Sequence, residues 1–572
     1  MLILGLHNGY HDASACLFDE YRLVAAVSLE RLTRRKGDGR GLVPEAAIDE
    51  VLAIASATRA DVDAVAGSRS AWPVDHYRHL RGARWLEKQA RILLDRRKPK
   101  DMTSELRRAG LTDAGAIFDG AAFLAASGFA KARGFHFYNH HLAHALPTLF
   151  YTEWPEAVLY TADGRGDNVH ASARDFDGAR IETLWGDDAW LLPEPRADSL
   201  GLLYGYCTQA LGYRINRHEG KLTGLAAFGE TVLHDAMAAH FSVDAEGRVD
   251  SDFGTAAALG AFVREIAAEA RPADVAASVQ RTLETFILES LRRVLARRPR
   301  RHLGLAGGVF ANVRLNRRIA EELDVEEIFV FPPMGDEGLP VGGVLDFLLR
   351  RDGLPRWLGR RRRLDDVYLG RDYTGAIDAE LGRRAEFRKV SGEPVADAAR
   401  RLAAGEIGAI YTGRMEFGPR ALGARSILAS PADADVNRDL NKRLDRTDFM
   451  PFAPVIAETR AAEVFEIGRA SAYAARFMTV TCGVRPAWRD RIPAVVHVDF
   501  SARPQVIRRE SNPLYADILA GFERESGLPV LVNTSFNVHE EPIVNRPEEC
   551  AQALADGRID FVVTTEGVWR RA

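Results

Sequence analysis

The sequence predicts an α/β protein of two domains. Three observations carry that reading. Short apolar runs of strand-forming residues alternate with longer segments whose apolar residues recur at helical spacing, the strand-like runs end in turns built from glycine and acidic residues, and the character of the chain changes where Arg360 to Arg363 form a charge run. At 572 residues there is room for a large core and more than one domain. The expected division is 1–358, a linker over 359–370, and 371–572.

"MLILGL", "SACLFD" and "RLVAAVSL" read as three strands joined by "HNGYHDA" and "DEY", and "PEAAIDEVLAIASA" follows as a helix with proline at its start. "AVLYTADGRGDNVHASARDF" repeats the theme of strand, acidic glycine turn and strand, a faint internal echo. Helical spacing dominates "ADVAASVQRTLETFILESLRRVLARR". The strand-like "HLGLAGGVFAN" and then "EIFVFPPMGDEGLPVGG" continue the α/β alternation. Beyond the charge run, "EIGAIYTGRMEFGPRALGARSIL", "PFAPVIAE" and "GLPVLVNTSFNVHEEPIV" are rich in strand formers and turn residues, so a second α/β domain is expected there.

The formal charge of −4 gives no global basic field, which argues against nucleic acid as a partner. The runs Arg96 to Lys100 and "RRPRR" at Arg297 to Arg301 read as solvated surface, with a nucleic-acid patch as the competing reading. The four cysteines, Cys16, Cys207, Cys482 and Cys550, form no closely spaced pair, so a zinc ribbon, a redox motif and a disulfide framework are all disfavoured and a reducing cytoplasm is expected. No signal-peptide pattern opens the chain and no apolar stretch is long enough to cross a bilayer.

Three groups of residues point to chemistry. In "NHHLAHA", a helix sets His140 and His144 on one face at i, i+4, with His141 pointing elsewhere. Asp163, after a strand and before glycine, and Asp336 in "PPMGDEG" are carboxylates placed to reach a cleft. Two imidazoles with two carboxylates suit iron, zinc or manganese without choosing among them, and histidines satisfied by local partners are the bland alternative. In "AGGVFAN" the N–H groups of Gly307 and Gly308 can form a nest for phosphate with Asn312 nearby, while "RHEGKLTGLAAFG" sets Glu219 and Lys221 beside glycines, where an ion pair explains them equally well. The third group is "GRMEFGPRALGARS", with Arg414, Glu416, Arg420 and Arg425 among fixed turns, joined by Lys442, Arg443 and Arg446, by Arg503, and by Asn533, Ser535 and Asn537. Guanidinium groups bind phosphate bidentately, so the collection reads as a polyphosphate pocket, although a structural role accounts for any one arginine taken alone.

The ordered series "HDASA", "ERLTRRK", "NHHLAHA", "ADGRGD", "EGKLTGLAAFG", "GGVFAN", "GDEG", "GRMEFGPRALGARSIL", "PFAP", "SARPQ" and "NTSFN" resembles the O-carbamoyltransferases of the nodulation-factor and cephamycin type, a group that includes antibiotic-tailoring enzymes, over nearly the whole chain. The resemblance implies an N-terminal Kae1-like domain of the actin/hsp70 type and a C-terminal YrdC-like domain. It implies carbamoyl adenylate formation from carbamoyl phosphate and ATP, with Mg2+, in the second domain, and transfer of the carbamoyl group to a hydroxyl in the first. It places His11, beside Asp12, next to the carbamoyl carbon as hydrogen-bond partner or general base, Lys36 at the adenylate phosphate, Arg420 in the adenylating site, and iron on His140, His144, Asp163 and Asp336. Just before "PFAP" the chain departs from some relatives, reading "LDRTDFM" with Asp445 and Met450, which leaves open the assignment of Lys442, Arg443 and Arg446 to carbamoyl phosphate or ATP. The expected partner is a small-molecule or glycan hydroxyl; a membrane is not expected and a homodimer is left open. The competing functions are threonylcarbamoyl transfer to tRNA, which calls for a basic docking face, and a non-catalytic nucleotide-binding regulator, which has no need of the arginine-rich second domain. Hydrogenase-maturation carbamoyltransferases share the domains but carry paired-cysteine zinc sites that this chain lacks.

Overall fold

In the computed structural model, which describes residues 1–80, 86, 102–193, 197–446 and 450–572, the three opening apolar runs become β1 (Leu2–His7), β2 (Ser14–Asp19) and β3 (Arg22–Ser28), paired antiparallel. β4 (Ala64–Gly67) lies parallel to β1 and β5 (Phe135–Phe137) parallel to β4, giving the order β3-β2-β1-β4-β5. β1 has strands on both sides and is buried almost throughout, so it reads as a continuous apolar run rather than an alternating one. Helix Glu45–Ile54 forms with Pro44 at its N-cap, close to the expected position.

The same arrangement then recurs. β6 (Ala157–Gly166), β7 (Val169–Phe176) and β8 (Ile181–Trp185) form an antiparallel meander. After a small hairpin of β9 (Phe241–Val243) and β10 (Val249–Ser251), β11 (His302–Ala306) adds parallel to β6 and β12 (Glu327–Val330) parallel to β11, in the order β12-β11-β6-β7-β8. The faint echo in the sequence is therefore a whole five-stranded sheet with the connectivity of the first. One detail differs from the sequence reading: Asp163 does not follow its strand but lies inside β6, near the end, where the pairing with β7 shifts between Ala162 and Gly166.

Two helices, His140–Phe150 and Leu339–Asp352, pack on each other, the first also against β6 and β11 and the second against β1 and β4. Their contact is close for a covalent reason. Pro147 has no N–H to give to the Ala143 carbonyl one turn earlier, and a Cβ on Gly342 would sit 1.7 Å from that oxygen. Only glycine allows the two backbones to meet there.

The chain divides into two compact units: Met1–Thr33, Gly37–Ala311 and Leu323–Leu364 form one, and Arg34–Lys36, Asn312–Glu322 and Asp365–Ala572 the other. The two short excursions into the second unit have no signature in the sequence. In it, Arg34 donates to the carbonyls of Pro542 and Ile543, both at 2.8 Å, and Asn316 donates to the Thr479 carbonyl at 2.7 Å. Of the segment 359–370 expected as a linker, 359–364 group with the first unit and 365–370 with the second. Arg361 donates to the Trp154 carbonyl at 2.7 Å and lies over the Phe176 ring, Arg362 lies over Phe150, and Arg363 pairs with Glu327 at 2.6 Å. The arginines of "RRPRR", after helix Pro272–Arg297, are likewise engaged: Arg300 pairs with Asp175 and Glu156 at 2.7 and 2.6 Å, Arg298 with Asp175 at 3.2 Å and Arg301 with Glu326 at 2.9 Å. Arg96 to Lys100 lie outside the described residues.

The second unit is built on an eight-stranded mixed sheet whose central strands are Gly408–Tyr411, Arg425–Ala429, Val530–Ser535 and Ala453–Ala457. Helices Pro394–Ala403 and Pro513–Ser526 pack on one another beside it. Among the described residues no helix is long and apolar enough to cross a membrane.

Gly342→Ala is expected to destabilise the first unit by about 1–3 kcal/mol, the usual cost of forcing an extra methyl into a packed interior. A lowered first thermal transition checks this, and an unchanged one would show that the helices can move apart freely.

Candidate active site

His140 and His144 occupy the first turns of helix His140–Phe150, which begins because Asn139 caps it, its Oδ1 accepting the Leu142 N–H at 2.8 Å. The helix turns both rings to one side. Asp163 comes from the end of β6, and Asp336 from the loop between β12 and helix Leu339–Asp352. The two Nε2 atoms are 3.1 Å apart, His144 Nε2 is 3.3 Å from Asp163 Oδ2, and the distances from His140 to Asp163 and from both histidines to Asp336 Oδ1 are 3.6 Å. One ligand atom from each of the four lies within 4.8 Å of the others. Such separations are those of donors about 2.1 Å from a shared centre, and two neutral imidazoles with two carboxylates suit a divalent ion. The residues therefore fit a metal. Without one, burial opposes charge on His140, but Asp336 and Asp163 outweigh it and raise the imidazole to about 9, while the histidines hold both carboxyls well below the usual range against the effect of burial.

Backbone groups complete the surroundings. Gly164 N–H donates to Asp163 Oδ1 at 2.6 Å and Gly308 N–H to its Oδ2 at 3.3 Å, and the Gly307 N–H is taken by the Met334 carbonyl at 2.9 Å. This corrects the phosphate-nest reading of Gly307 and Gly308, whose donors serve the protein itself. Asn312 is the cap of the helix that follows it, accepting from Leu315 N–H at 3.0 Å. His141 turns away as expected, into Thr161 and the Val169 carbonyl, and burial keeps it neutral. Glu219 accepts the Asn216 N–H at 2.6 Å and burial raises its pKa, whereas Lys221 lies over the Tyr213 ring.

The first hairpin loop supplies a second group. Asp12, at a φ of 55°, accepts from His11 Nδ1 at 2.9 Å and pairs with Arg217 Nη1 at 3.2 Å. Arg217 also donates to the Gly37 carbonyl at 2.8 Å and to the Asn216 carbonyl at 2.7 Å. Burial disfavours charge on His11, but the Asp12 hydrogen bond and the Asp336 charge prevail and raise it to about 9. The ring is thus an imidazolium at neutral pH, better suited to donate a hydrogen bond than to act as a base. Glu337, next to Asp336, is pushed the other way, up to about 8, by burial and by the Asp12 charge. Sequence reasoning gave no role to Arg217, the first residue of "RHEGKLTGLAAFG". It also missed His7, which is 2% exposed, has neither ring nitrogen hydrogen-bonded to the described residues, and faces Asp336 Oδ2 at 3.6 Å. Lys36 belongs to the second unit.

In that second unit several predicted ligand-binding residues turn out to hold the loop that carries Arg420. Glu416, 2% exposed, accepts the N–H groups of Leu422, Ala424 and Arg425 through one oxygen at 2.7–3.1 Å. Asn533 donates to the Ala421 carbonyl at 3.2 Å, Tyr368 and Gln505 to that of Leu422 at 2.7 Å, and Asn512 to that of Gly423 at 3.1 Å. Arg425, fully buried over the Tyr411 ring, donates to the Thr412 and Ala424 carbonyls at 2.7 and 2.9 Å. Arg414 donates to the carbonyls of Gly370 and Leu369 at 2.9 and 2.7 Å. Arg446 is consumed by Thr534, Ser535 and Asn537 at 2.9–3.1 Å, and Arg443 by Asp560 and Asp439 at 2.8 and 3.1 Å, while Lys442 is exposed. Arg503 is different. Burial, and then the like charge of Arg420, hold its pKa well below the usual guanidinium value. Both side chains are half-buried, and an anion bound beside them would offset that repulsion.

In the metal-free protein, NMR is expected to show His11 titrating near 9, and Asp12→Asn to bring it down toward about 6.5, the value of an unperturbed histidine. Because the folded value is the raised one, stability gained from the pair is complete below the unfolded pKa and disappears as pH rises through 9. A His11 titration unmoved by Asp12→Asn would remove Asp12 as the cause.

Comparison with known proteins converges on one family. Residues 2–345 match the family described as carbamoyltransferase N-terminus and residues 399–571 match carbamoyltransferase C-terminus. The chain is 30% identical to nodulation protein NolNO of Sinorhizobium fredii, over 97% of this chain and 77% of that protein. It is 33% identical to nodulation protein NolO of Bradyrhizobium diazoefficiens over 74% of this chain and 76% of that one, and 29% identical to an uncharacterised protein of a Synechocystis strain over 98% and 95%. With both halves matched in order, and with the four-donor cluster and the arginine-bearing loop each inside its matched half, the chain belongs to the carbamoyltransferase family.

Proposed function

We propose that this carbamoyltransferase is ATP-dependent, makes carbamoyl adenylate, and passes the carbamoyl group to a hydroxyl of a small natural product or glycan in the cytoplasm. The observation that carries the reading is the cluster of His140, His144, Asp163 and Asp336 within electrostatic reach of the His11–Asp12 pair. The repeated five-stranded sheets of the first unit support an actin/hsp70-type, Kae1-like assignment for it, and the second unit takes the YrdC-like, adenylating role.

Adenylation requires carbamoyl phosphate to lose orthophosphate to water and the carbamate oxygen to attack the α-phosphorus of ATP, taken with Mg2+, so that pyrophosphate leaves. Arg420 and Arg503 would bind the phosphates, since an anion between them relieves their mutual repulsion. Glu416, Asn533 and Gln505 keep the Arg420 loop in one conformation, so little freedom is lost on binding.

For transfer, His140, His144, Asp163 and Asp336 would hold a divalent metal, iron first by resemblance. When bound, such an ion supplies Lewis acidity toward a carbonyl or phosphoryl oxygen. His11, kept protonated by Asp12, donates a hydrogen bond to the leaving phosphate oxygen while the acceptor oxygen bonds to the carbamoyl carbon, the bond from that carbon to the phosphate oxygen breaks, AMP departs and the hydroxyl proton passes to water. Arg217 holds Asp12 in place for this.

Pyrophosphate release on mixing the protein with ATP and carbamoyl phosphate tests the reading directly. Arg420→Ala is expected to abolish that release while largely sparing transfer from supplied carbamoyl adenylate, because a charge-assisted phosphate contact is worth roughly 1.5–3 kcal/mol and more in a transition state. Equal loss of both half-reactions would count against two sites. His144→Ala is expected to lose the metal, and full metal content by elemental analysis would remove His144 from the ligand set.

A further inference from the structure

The end of β6 carries Asp163, and the turn that leads from it into β7 carries Asp167. Asp167 and Asn168, with φ of 49° and 63°, both lie in the left-handed region, which Asp and Asn accept more readily than other non-glycine residues. Asp167 Oδ2 accepts the backbone N–H of His140 at 2.9 Å, so the turn that follows one candidate ligand also binds the first residue of the helix presenting two more. Behind it stands Arg69. Its Nη1 is 3.4 Å from Asp167 Oδ2, and it grips Asp188 with both terminal nitrogens at 2.6 and 2.8 Å. Asp188 in turn accepts from Asn139 Nδ2 at 2.6 Å, and Asn139 is the helix cap. Thr103 Oγ1 donates to the other Asp167 oxygen at 3.3 Å, and Asn168 Nδ2 donates to the carbonyls of Trp190 and Pro193 at 3.1 and 3.0 Å. Arg69 and Asp167 are only 7% and 6% exposed. On the other side the His140 ring rests against Gly166, where a Cβ would come within 2.1 Å of it.

We propose that Asp167 and Arg69 are positioning residues for the metal site, a closed circuit of hydrogen bonds that fixes the spacing of His140 and His144 from Asp163. The proposal rests on the reading of those residues and Asp336 as metal ligands. None of the circuit's side chains belongs to the four-donor cluster. Its action is geometric: His140 is seized at its main chain by the same turn that orients Asp163, so the helix cannot rotate its imidazoles away without breaking a buried, charge-assisted contact.

The test uses Co2+ added to the metal-free full-length protein, with affinity measured by chelator competition and geometry by the visible d–d spectrum. Asp167→Asn suits the left-handed backbone and still offers the His140 N–H an oxygen, but loses the charge facing Arg69. Arg69→Gln removes the other half of the pair without touching the turn. Both variants are expected to bind Co2+ about 10–100-fold more weakly than the parent, with an altered spectrum. A merely structural role would lower the melting temperature of the metal-free protein and leave Co2+ affinity and spectrum as they were, which would overturn the proposal. Absence of any Co2+ signal from the parent protein would overturn the metal reading and the circuit with it, whereas a parent signal reproduced by both variants would overturn the circuit alone.

Discussion

The close approach of two helices is the constraint on which the first unit depends. Helix His140–Phe150 and helix Leu339–Asp352 touch through the Ala143 carbonyl and Gly342, and the candidate ligands stand at their amino-terminal ends: two histidines in the first two turns of one, Asp336 just ahead of the other. A helix start concentrates unsatisfied N–H groups and the positive end of the helix dipole. Two such starts brought together favour negative charge between them, which is where Asp163 and Asp336 place their carboxylates. Burial there without those dipoles and the histidines would push both carboxyls toward the protonated state.

What the sequence disclosed and what it hid divide along a physical line. The i, i+4 histidines were legible because helical periodicity is local, and so were the strands of the first sheet, whose buried runs are continuous. The convergence of Asp163 with Asp336, 173 positions later, was legible only as two similar acidic turns. Arg69 gave no signal, and Arg217, His7 and Asp167, though they stand at the edges of quoted motifs, were given no role, since a residue that acts by reaching across the fold is not marked by its neighbours in the chain. The arginine-rich segment misled in a specific way. Composition shows that guanidiniums are abundant there, but not whether their donors point at a ligand or at neighbouring carbonyls, and Arg414, Arg425, Arg443 and Arg446 all point at the protein.

That segment still has a logic. If the loop presents Arg420 to phosphate, as proposed, it must not collapse onto the nearest carboxylate. Glu416 lies within it, yet spends one oxygen on three backbone N–H groups. The carbonyls of Ala421, Leu422 and Gly423 are each met by a donor from a different place in the unit, and that of Ala424 by the side chain of the next residue, Arg425. The loop is held by polar bonds as well as by the burial of Phe417, Ala421, Leu422 and Ala424, and its polar network is rigid only while every partner is present.

The repeated sheet has a consequence for ancestry. The loop between β1 and β2, which bears His11 and Asp12, and the turn between β6 and β7, which follows Asp163, occupy matching places in two copies of one connectivity. A doubled ancestor would have presented the same loop twice, as a symmetric pair of identical subunits does. Joined in one polypeptide, two such copies are free to differ: here one loop carries His11 and Asp12 and the other Asp167, a division of labour closed to a true dimer, where any mutation appears on both sides at once.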